Sequence, residues 1–140
     1  MSPRNPNYAG KVREEFDAAA FVNDLGIELG AFEPGWCESS LLLQPRHLQQ
    51  TGIVHLGVQA TLADHTAGGA AGTLIEADQK MVSTNIELHM LRPATGTRLH
   101  CRAEVLKAGR RLTVVESSVY AESETERVLT AKATVTIAIL

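Results

Sequence analysis

The sequence predicts an α+β fold in which a curved antiparallel sheet wraps around one long central helix. Three observations support this prediction. The chain has 140 residues, the length of one domain. Residues 58–77 are apolar, rich in Ala and Gly and almost uncharged, which is typical of a helix buried on most faces. Two strand-like segments precede this stretch and four follow it, so a sheet that covers the helix accounts for every element.

The predicted strands show the two-residue alternation of a sheet that packs on one face only. In the last strand, one set of residues faces water and the other faces the core. The outward set is Thr130, Lys132, Thr134 and Thr136, and the inward set is Ala131, Ala133, Val135 and Ile137. The strands are expected at residues 27–33, 36–44, 81–91, 97–106, 112–121 and 128–139.

Two further features complete the predicted domain, which spans residues 1–140. Residues 10–24 have helical spacing of apolar side chains, so residues 1–24 are expected to form a helical extension that ends at Gly26. The central helix contains three glycines, each of which lowers helix stability by roughly 1 kcal/mol relative to Ala. Close approach of another backbone or a sheet is the expected reason for them. They are Gly68, Gly69 and Gly72.

The composition excludes several classes of protein. A net charge of −3 argues against general affinity for nucleic acid or anionic membranes. The chain lacks a run of 18 apolar residues, and its N-terminus lacks the apolar core of a signal peptide. We therefore expect a cytoplasmic protein in which Cys37 and Cys101 are buried, reduced thiols.

A motif precedes the central helix and a second one follows it. The first is Gly52-Ile53-Val54-His55-Leu56-Gly57, with Asp64 eight residues after Leu56; the second is the strand 82–94, VSTNIELHMLRPA, with its Arg-Pro end. Together they resemble the hotdog-fold acyl-CoA thioesterases of the phenylacetate-degradation (PaaI-like) family, over about residues 20–140. The resemblance implies the hotdog fold and hydrolysis of a CoA thioester to free acid and CoA.

Two positions depart from the family's pattern. Leu56 stands where the family has the first Gly after the His, and Gln49 stands where it has Asn. Gln at this position makes the chain similar to a related hotdog branch, which hydrolyses aromatic acyl-CoA thioesters. In that branch the carboxylate is Glu. The combination of Gln49 with Asp64 is therefore a mixture of two branches.

Asp64 is the predicted catalytic residue. It is the only carboxylate within the predicted buried helix, where a charge is costly unless it is paired. A nucleophile or general base for thioester hydrolysis would explain it. The alternative is a structural anchor that accepts hydrogen bonds from the neighbouring backbone.

Three other residues complete the predicted catalytic set. The backbone N–H of Leu56, at the start of the helix, is the expected donor to the oxyanion. The amide of Gln49 would contact the thioester or the attacking water; otherwise it is a solvated loop residue. Resemblance to the family implies that the Ser83 hydroxyl holds the attacking water; otherwise Ser83 is a strand residue that faces the helix.

Substrate binding is predicted around these residues, at His55, Gly57, Gly68 and Arg92. His55 and Asp64 are nine residues apart, which places them on opposite sides of a helix, roughly 13 Å apart along its axis. His55 is therefore expected to fix the loop rather than form a dyad. Gly68 leaves room beside the carboxylate. Arg92 is one of four candidates for the CoA phosphates, with Arg98, Arg110 and Arg111; for any single one of them, a solvated strand end or turn residue is the favoured alternative.

The family resemblance also implies a dimer that shares its sites. Gln49 and Leu56 would come from one subunit and Asp64 and Ser83 from the other, and two dimers would assemble into a homotetramer. We expect no metal and no cofactor, because CoA is part of the substrate and the histidines lack metal-ligand spacing. Two alternatives stay open: a protein that binds acyl-CoA without turnover, and an enoyl-CoA hydratase, which would need a His five residues from Asp64.

Overall fold

A computed structural model describes all 140 residues, and it contains three α-helices and six strands. The helices are α1 (Tyr8–Ala18), α2 (Ala20–Leu25) and α3 (Leu56–Gly72). The strands are β1 (Ile27–Glu33), β2 (Trp36–Leu42), β3 (Met81–Met90), β4 (Arg98–Ala108), β5 (Leu112–Glu122) and β6 (Arg127–Ile139). They form one antiparallel sheet in the order β1-β2-β4-β5-β6-β3, with α3 against its inner face. The predicted α+β fold is confirmed.

The helices differ from their predicted bounds. The N-terminal helix is interrupted at Ala19, and α1 and α2 bury Phe16 and Val22 separately. Gly26 ends α2 with a φ of 87°, as its predicted role as a C-cap requires. The central helix begins at Leu56 instead of residue 58 and ends at Gly72 instead of residue 77. It ends there because the Thr73 hydroxyl donates to Ala70 O and accepts the Gly35 N–H, which ties the chain to the β1–β2 turn.

Small side chains on α3 let the sheet approach closely. Ala63, Ala67 and Ala70 are fully buried against the strands, and Ser117 Oγ of β5 donates to Ala63 O at 2.8 Å. On a second side, α1 lies over the C-terminal half of α3. A third side, formed by Gly57, Ala60, Thr61, Asp64 and Gly68, is only half-buried. Asp64 therefore lies on an open side of the helix, not in a closed apolar interior.

The glycines of α3 have two different roles. A Cβ on Gly69 would lie 2.7 Å from Cys37 Sγ and 3.0 Å from the Phe16 ring, and one on Gly72 would lie 3.3 Å from Met81. Both glycines therefore permit the predicted close approach. The same prediction is wrong for Gly68, where a Cβ would meet nothing within 4 Å. Gly68 belongs to the open side of the helix, which no other element covers.

Thr130 does not face water as the alternation of β6 predicted. Val119 of β5 pairs with Ala131, but Tyr120 pairs with Leu129, so the register slips at Thr130. This bulge turns the Thr130 side chain into the interior, where it is fully buried. The other outward residues of the strand, Lys132 onward, alternate as predicted.

Strand β3 lies at one edge of the sheet and pairs only with β6. Ile86 and Met90 pair with Val135 and Ala131 of the core face, yet their side chains are 39% and 40% exposed. The inner face of β3 is thus apolar and uncovered at these two residues. No helix of the chain is long and apolar enough to cross a membrane.

Candidate active site

Asp64 and Ser83 form a direct hydrogen bond across the open side of α3. Ser83 Oγ donates to Asp64 Oδ1 at 2.6 Å, a distance typical of an O–H bonded to a carboxylate. Asp64 is held by the third turn of the helix. Ser83 lies on the inner face of β3, where it pairs with Ile137 just before a bulge in the strand. Both residues therefore present oxygen atoms to the same space.

This space is a cleft of about 290 Å³, which we call the carboxylate cleft. Gly68 opens it beside Asp64, and Phe16 and His65 line its wall, along with Lys80 at its rim. The rings of Phe16 and His65 pack edge to face, with centroids 4.3 Å apart. Burial lowers the pKa of His65, although the charge of Asp64 acts in the opposite direction. The imidazole is therefore neutral near pH 7, which suits a wall against an apolar group.

The loop before α3 is a small hairpin. Leu48 and Val54 form a bridge, the Gln49 N–H donates to Ile53 O at 2.8 Å, and Gly52 has the positive φ, 85°, that the turn requires. This hairpin fixes the backbone of Gln49. The side-chain Nε2 of Gln49 donates to Thr51 Oγ1 at 2.7 Å.

His47 anchors this loop to the rest of the fold. Its buried ring accepts the Gln44 N–H at Nδ1 and contacts Leu25 O through Nε2 at 2.7 Å, so the proton lies on Nε2. Its carbonyl accepts the N–H of His55. This role of His47 was not predicted from the sequence. Its position two residues after Pro45, in a polar loop, gave no signal of burial.

The helix α3 begins with an unpaired donor. His55 is the N-cap residue, and its Nδ1 accepts the N–H of Gly57 at 2.8 Å, the loop-fixing role expected of it. The N–H of Leu56 has no acceptor within the chain. Leu56 has a negative φ like every other non-Gly residue, so replacing Gly causes no backbone strain. Its side chain is 50% exposed.

Leu56 lines a second cleft of about 330 Å³, which we call the loop cleft. Gln49 and Arg92 also line it, together with the apolar Met90 and a buried glutamine of α3, Gln59. Arg92 Nη1 donates to Leu129 O at 3.0 Å, which holds the guanidinium at the cleft. Gln59 was not identified from the sequence, because it is one of several polar residues in α3 and nothing in its spacing indicates a site.

Six of the eight predicted site residues separate into two groups within one chain, while His55 and Gly57 line neither cleft. Asp64, Ser83 and Gly68 line the carboxylate cleft, and Gln49, Leu56 and Arg92 line the loop cleft. The two clefts share no lining residue. Among the other arginines considered for CoA, Arg98 donates to Ser40 Oγ on the sheet, and Arg110 lines a separate cleft beside Met1.

Comparison with known proteins identifies relatives of most of the chain. The family described as "Thioesterase superfamily" matches residues 51–128. A Haemophilus influenzae protein named "Putative esterase" is 33% identical over 102 residues, which cover 72% of this chain and 73% of that protein.

Two solved structures are also similar. A thioesterase family protein from Silicibacter pomeroyi superposes with a TM-score of 0.93 at 34% identity, over 95% of this chain and 98% of the other. A thioesterase from Haemophilus influenzae superposes with a TM-score of 0.81 at 26% identity, over 90% and 86% of the two chains. The hotdog fold predicted from the sequence is thereby confirmed. The chain belongs to the thioesterase superfamily.

Proposed function

We propose that this thioester hydrolase acts on acyl-CoA, releasing free acid and CoA, and that Asp64 is its catalytic carboxylate. The observation that carries the proposal is the hydrogen bond from Ser83 to Asp64 at the open side of α3. A half-buried carboxylate beside an empty space, with one oxygen already oriented, is placed to act on a bound molecule. The phenylacetate-degradation type is the branch that the sequence motifs resemble.

The chemistry follows from the donors and acceptors of the two clefts. Asp64 attacks the thioester carbon directly or removes a proton from the attacking water, and Ser83 orients the carboxylate or that water. Negative charge then develops on the carbonyl oxygen. The free N–H of Leu56, at the positive end of the α3 dipole, stabilises this oxyanion. Gln49 contributes a second donor when its amide turns from Thr51 to the substrate. Collapse of the oxyanion breaks the C–S bond and expels the CoA thiolate, which takes up a proton. If Asp64 attacks directly, water then hydrolyses the resulting anhydride and regenerates the carboxylate.

A second copy of the chain brings these groups together. One protomer keeps its carboxylate and its oxyanion donor in separate clefts. The unpaired edge of β3 and the uncovered side chains of Ile86 and Met90 are features that a partner subunit would bury. In the proposed dimer, Asp64 of each protomer faces Leu56 of the other, and two dimers form the homotetramer.

Arg92 is the proposed ligand of the CoA phosphates, because it alone of the four candidate arginines lines the loop cleft. The substrate then enters with its nucleotide at Arg92, and its acyl chain passes Gln59 in the loop cleft before it reaches Gly68 of the partner subunit. The absence of a Cβ at Gly68 leaves that end of the path open. The proposed compartment is the cytoplasm, where acyl-CoA is available and the two buried cysteines stay reduced.

Release of free thiol from a panel of short, medium, long and aromatic acyl-CoAs tests this proposal. Wild-type protein is expected to hydrolyse at least one class, and Asp64→Asn is expected to lose about a thousandfold or more in kcat. Asp78→Asn, at an exposed position beyond α3, is the matched control and keeps wild-type activity. An Asp64→Asn protein with wild-type turnover would exclude Asp64 as the catalytic residue.

A second candidate function is binding of acyl-CoA without turnover. The half-exposed Leu56 side chain favours it, because it occupies the loop cleft where the resembling family has no side chain. Under this alternative, calorimetry detects acyl-CoA binding while no thiol is released. The Leu56→Gly variant would then gain hydrolysis.

A further inference from the structure

Gln59 is a buried polar residue on α3 whose amide is only half satisfied. The residue is 1% exposed, and its Oε1 accepts the Thr130 hydroxyl at 2.8 Å. Its Nε2 makes no hydrogen bond within the chain. The Nε2 atom of Gln59 is nevertheless not fully enclosed by the protein. The only side-chain atom that is both unpartnered and fully enclosed is His65 Nε2. The residue lines the loop cleft, so its free amide N–H groups meet that space.

The bulge at Thr130 holds this amide in place. Thr130 reaches Gln59 only because the register of β6 slips and turns its side chain inward. The carbonyl of the same residue accepts the N–H groups of Leu91 and Arg92, at 2.8 and 3.3 Å. One bulged residue thus fixes both the amide and the wall of the cleft opposite it. Such an arrangement is typical of a preorganised binding group.

A plain alkyl chain is a poor occupant for this cleft. It would cover the Gln59 amide and leave its N–H donors without water or a partner. Leaving a buried donor unpaired weakens binding by about tenfold or more. A ligand oxygen placed at the amide removes this penalty. A site with a buried donor therefore discriminates against ligands that lack the matching acceptor.

The position of Gln59 along the helix limits where that oxygen lies. Gln59 follows Leu56 by three residues, which is roughly 4.5 Å along the axis, and helical side chains lean toward the N-terminus. With the thioester carbonyl at the Leu56 N–H, an acceptor on the second or third carbon of the acyl chain is within reach of the amide.

We infer that Gln59 is a specificity-determining residue that donates a hydrogen bond to an oxygen on the acyl chain. The preferred substrates are thioesters with a hydroxyl or oxo oxygen on the second or third carbon, as in a 3-hydroxyacyl-CoA. This inference rests on the proposed function, because it takes the Leu56 N–H as the site of the thioester carbonyl.

The experiment compares hexanoyl-CoA with each enantiomer of 3-hydroxyhexanoyl-CoA. Wild-type protein is expected to favour the better hydroxylated enantiomer by about tenfold or more in kcat/KM. In Gln59→Met and Gln59→Leu this ratio falls to within about twofold of one. Both variants keep the volume of the side chain, and Thr130 keeps Val119 O as an acceptor. A ratio measured on one preparation is independent of the folded fraction.

Gln50→Met, at an exposed loop position, is the control and keeps the wild-type ratio. The inference is overturned by a wild-type enzyme without the preference, or by Gln59 variants that keep it or lose both activities equally. If the wild type hydrolyses neither thioester nor any other acyl-CoA, the proposed function fails instead. The ratio of dissociation constants for the same two thioesters, measured by calorimetry, then tests Gln59 in the same way.

Discussion

The carboxylate cleft and the loop cleft carry opposite chemistry. The first presents oxygen atoms, namely the Asp64 carboxylate and the Ser83 hydroxyl that donates a hydrogen bond to it. The second presents donors, namely the N–H of Leu56 and the amides of Gln49 and Gln59. Thioester hydrolysis needs both kinds of group at one carbon atom. The difference teaches why the proposed mechanism needs two copies of the chain: each protomer keeps the acceptors and the donors in separate clefts.

After Asp64→Asn, the variant that removes the donor of the loop cleft is expected to have the largest effect. Leu56→Pro deletes the free N–H, and proline is well tolerated at the first position of a helix. The preceding residue, His55, already has the extended backbone that proline requires, with a φ of −64° and a ψ of 140°. Loss of one oxyanion donor is expected to lower kcat by about 10²–10³-fold, measured by thiol release.

Leu56→Ala is the matched control, because it removes the same side chain and keeps the N–H. It is expected to stay within about tenfold of the wild type. Equal activity in the proline and alanine variants would show that the Leu56 N–H has no part in the reaction.

Substitution of two neighbouring glycines, Gly68 and Gly69, compares the open and the covered side of α3. Gly69→Ala pushes a methyl group against Cys37 and Phe16, so we expect it to lower the free energy of unfolding by about 1–2 kcal/mol. Gly68→Ala meets no atom within 4 Å and is expected to raise it, by up to about 1 kcal/mol. Urea denaturation of both variants measures the difference. Equal effects would contradict an open side of the helix at Gly68.

The smallest expected effect concerns the wall of the carboxylate cleft. Burial lowers the pKa of His65, so the unfolded chain takes up a proton at a higher pH than the folded chain. The stability that the neutral ring provides is therefore complete above about pH 6.5 and is lost as the pH falls below it. In His65→Leu, the free energy of unfolding is expected to fall less than in the wild type between about pH 7.5 and 5.5. A parallel pH dependence in both proteins would argue against this linkage.

The features that the sequence predicted well are those with a local signal. Alternation of residue types located the strands, and the apolar, Ala- and Gly-rich stretch 58–77 located the helix that carries Asp64. The features that it missed depend on contacts between distant segments. Thr130 turns inward because of its register with β5, which a pattern of period two does not reveal. Gln59 acquires its significance only through Thr130, and His47 through the carbonyl of Leu25.

The separation of Gln49 from Asp64 within one chain agrees with the family resemblance, which implies that the two residues of one site come from different subunits. They are close in sequence, yet α3 carries Asp64 into the carboxylate cleft while the hairpin keeps Gln49 in the loop cleft. Only the shape of the whole domain separates them.

Mixing two inactive variants tests the shared site most directly. Asp64→Asn lacks only the carboxylate, and Leu56→Pro lacks only the oxyanion donor. In a mixed dimer, one site carries both defects and the other carries neither, so random exchange of subunits restores about one quarter of the wild-type sites. We predict thiol release at about a quarter of the wild-type rate after the two proteins are unfolded, mixed and refolded together. A mixture that is no more active than the two variants measured separately would contradict the shared site.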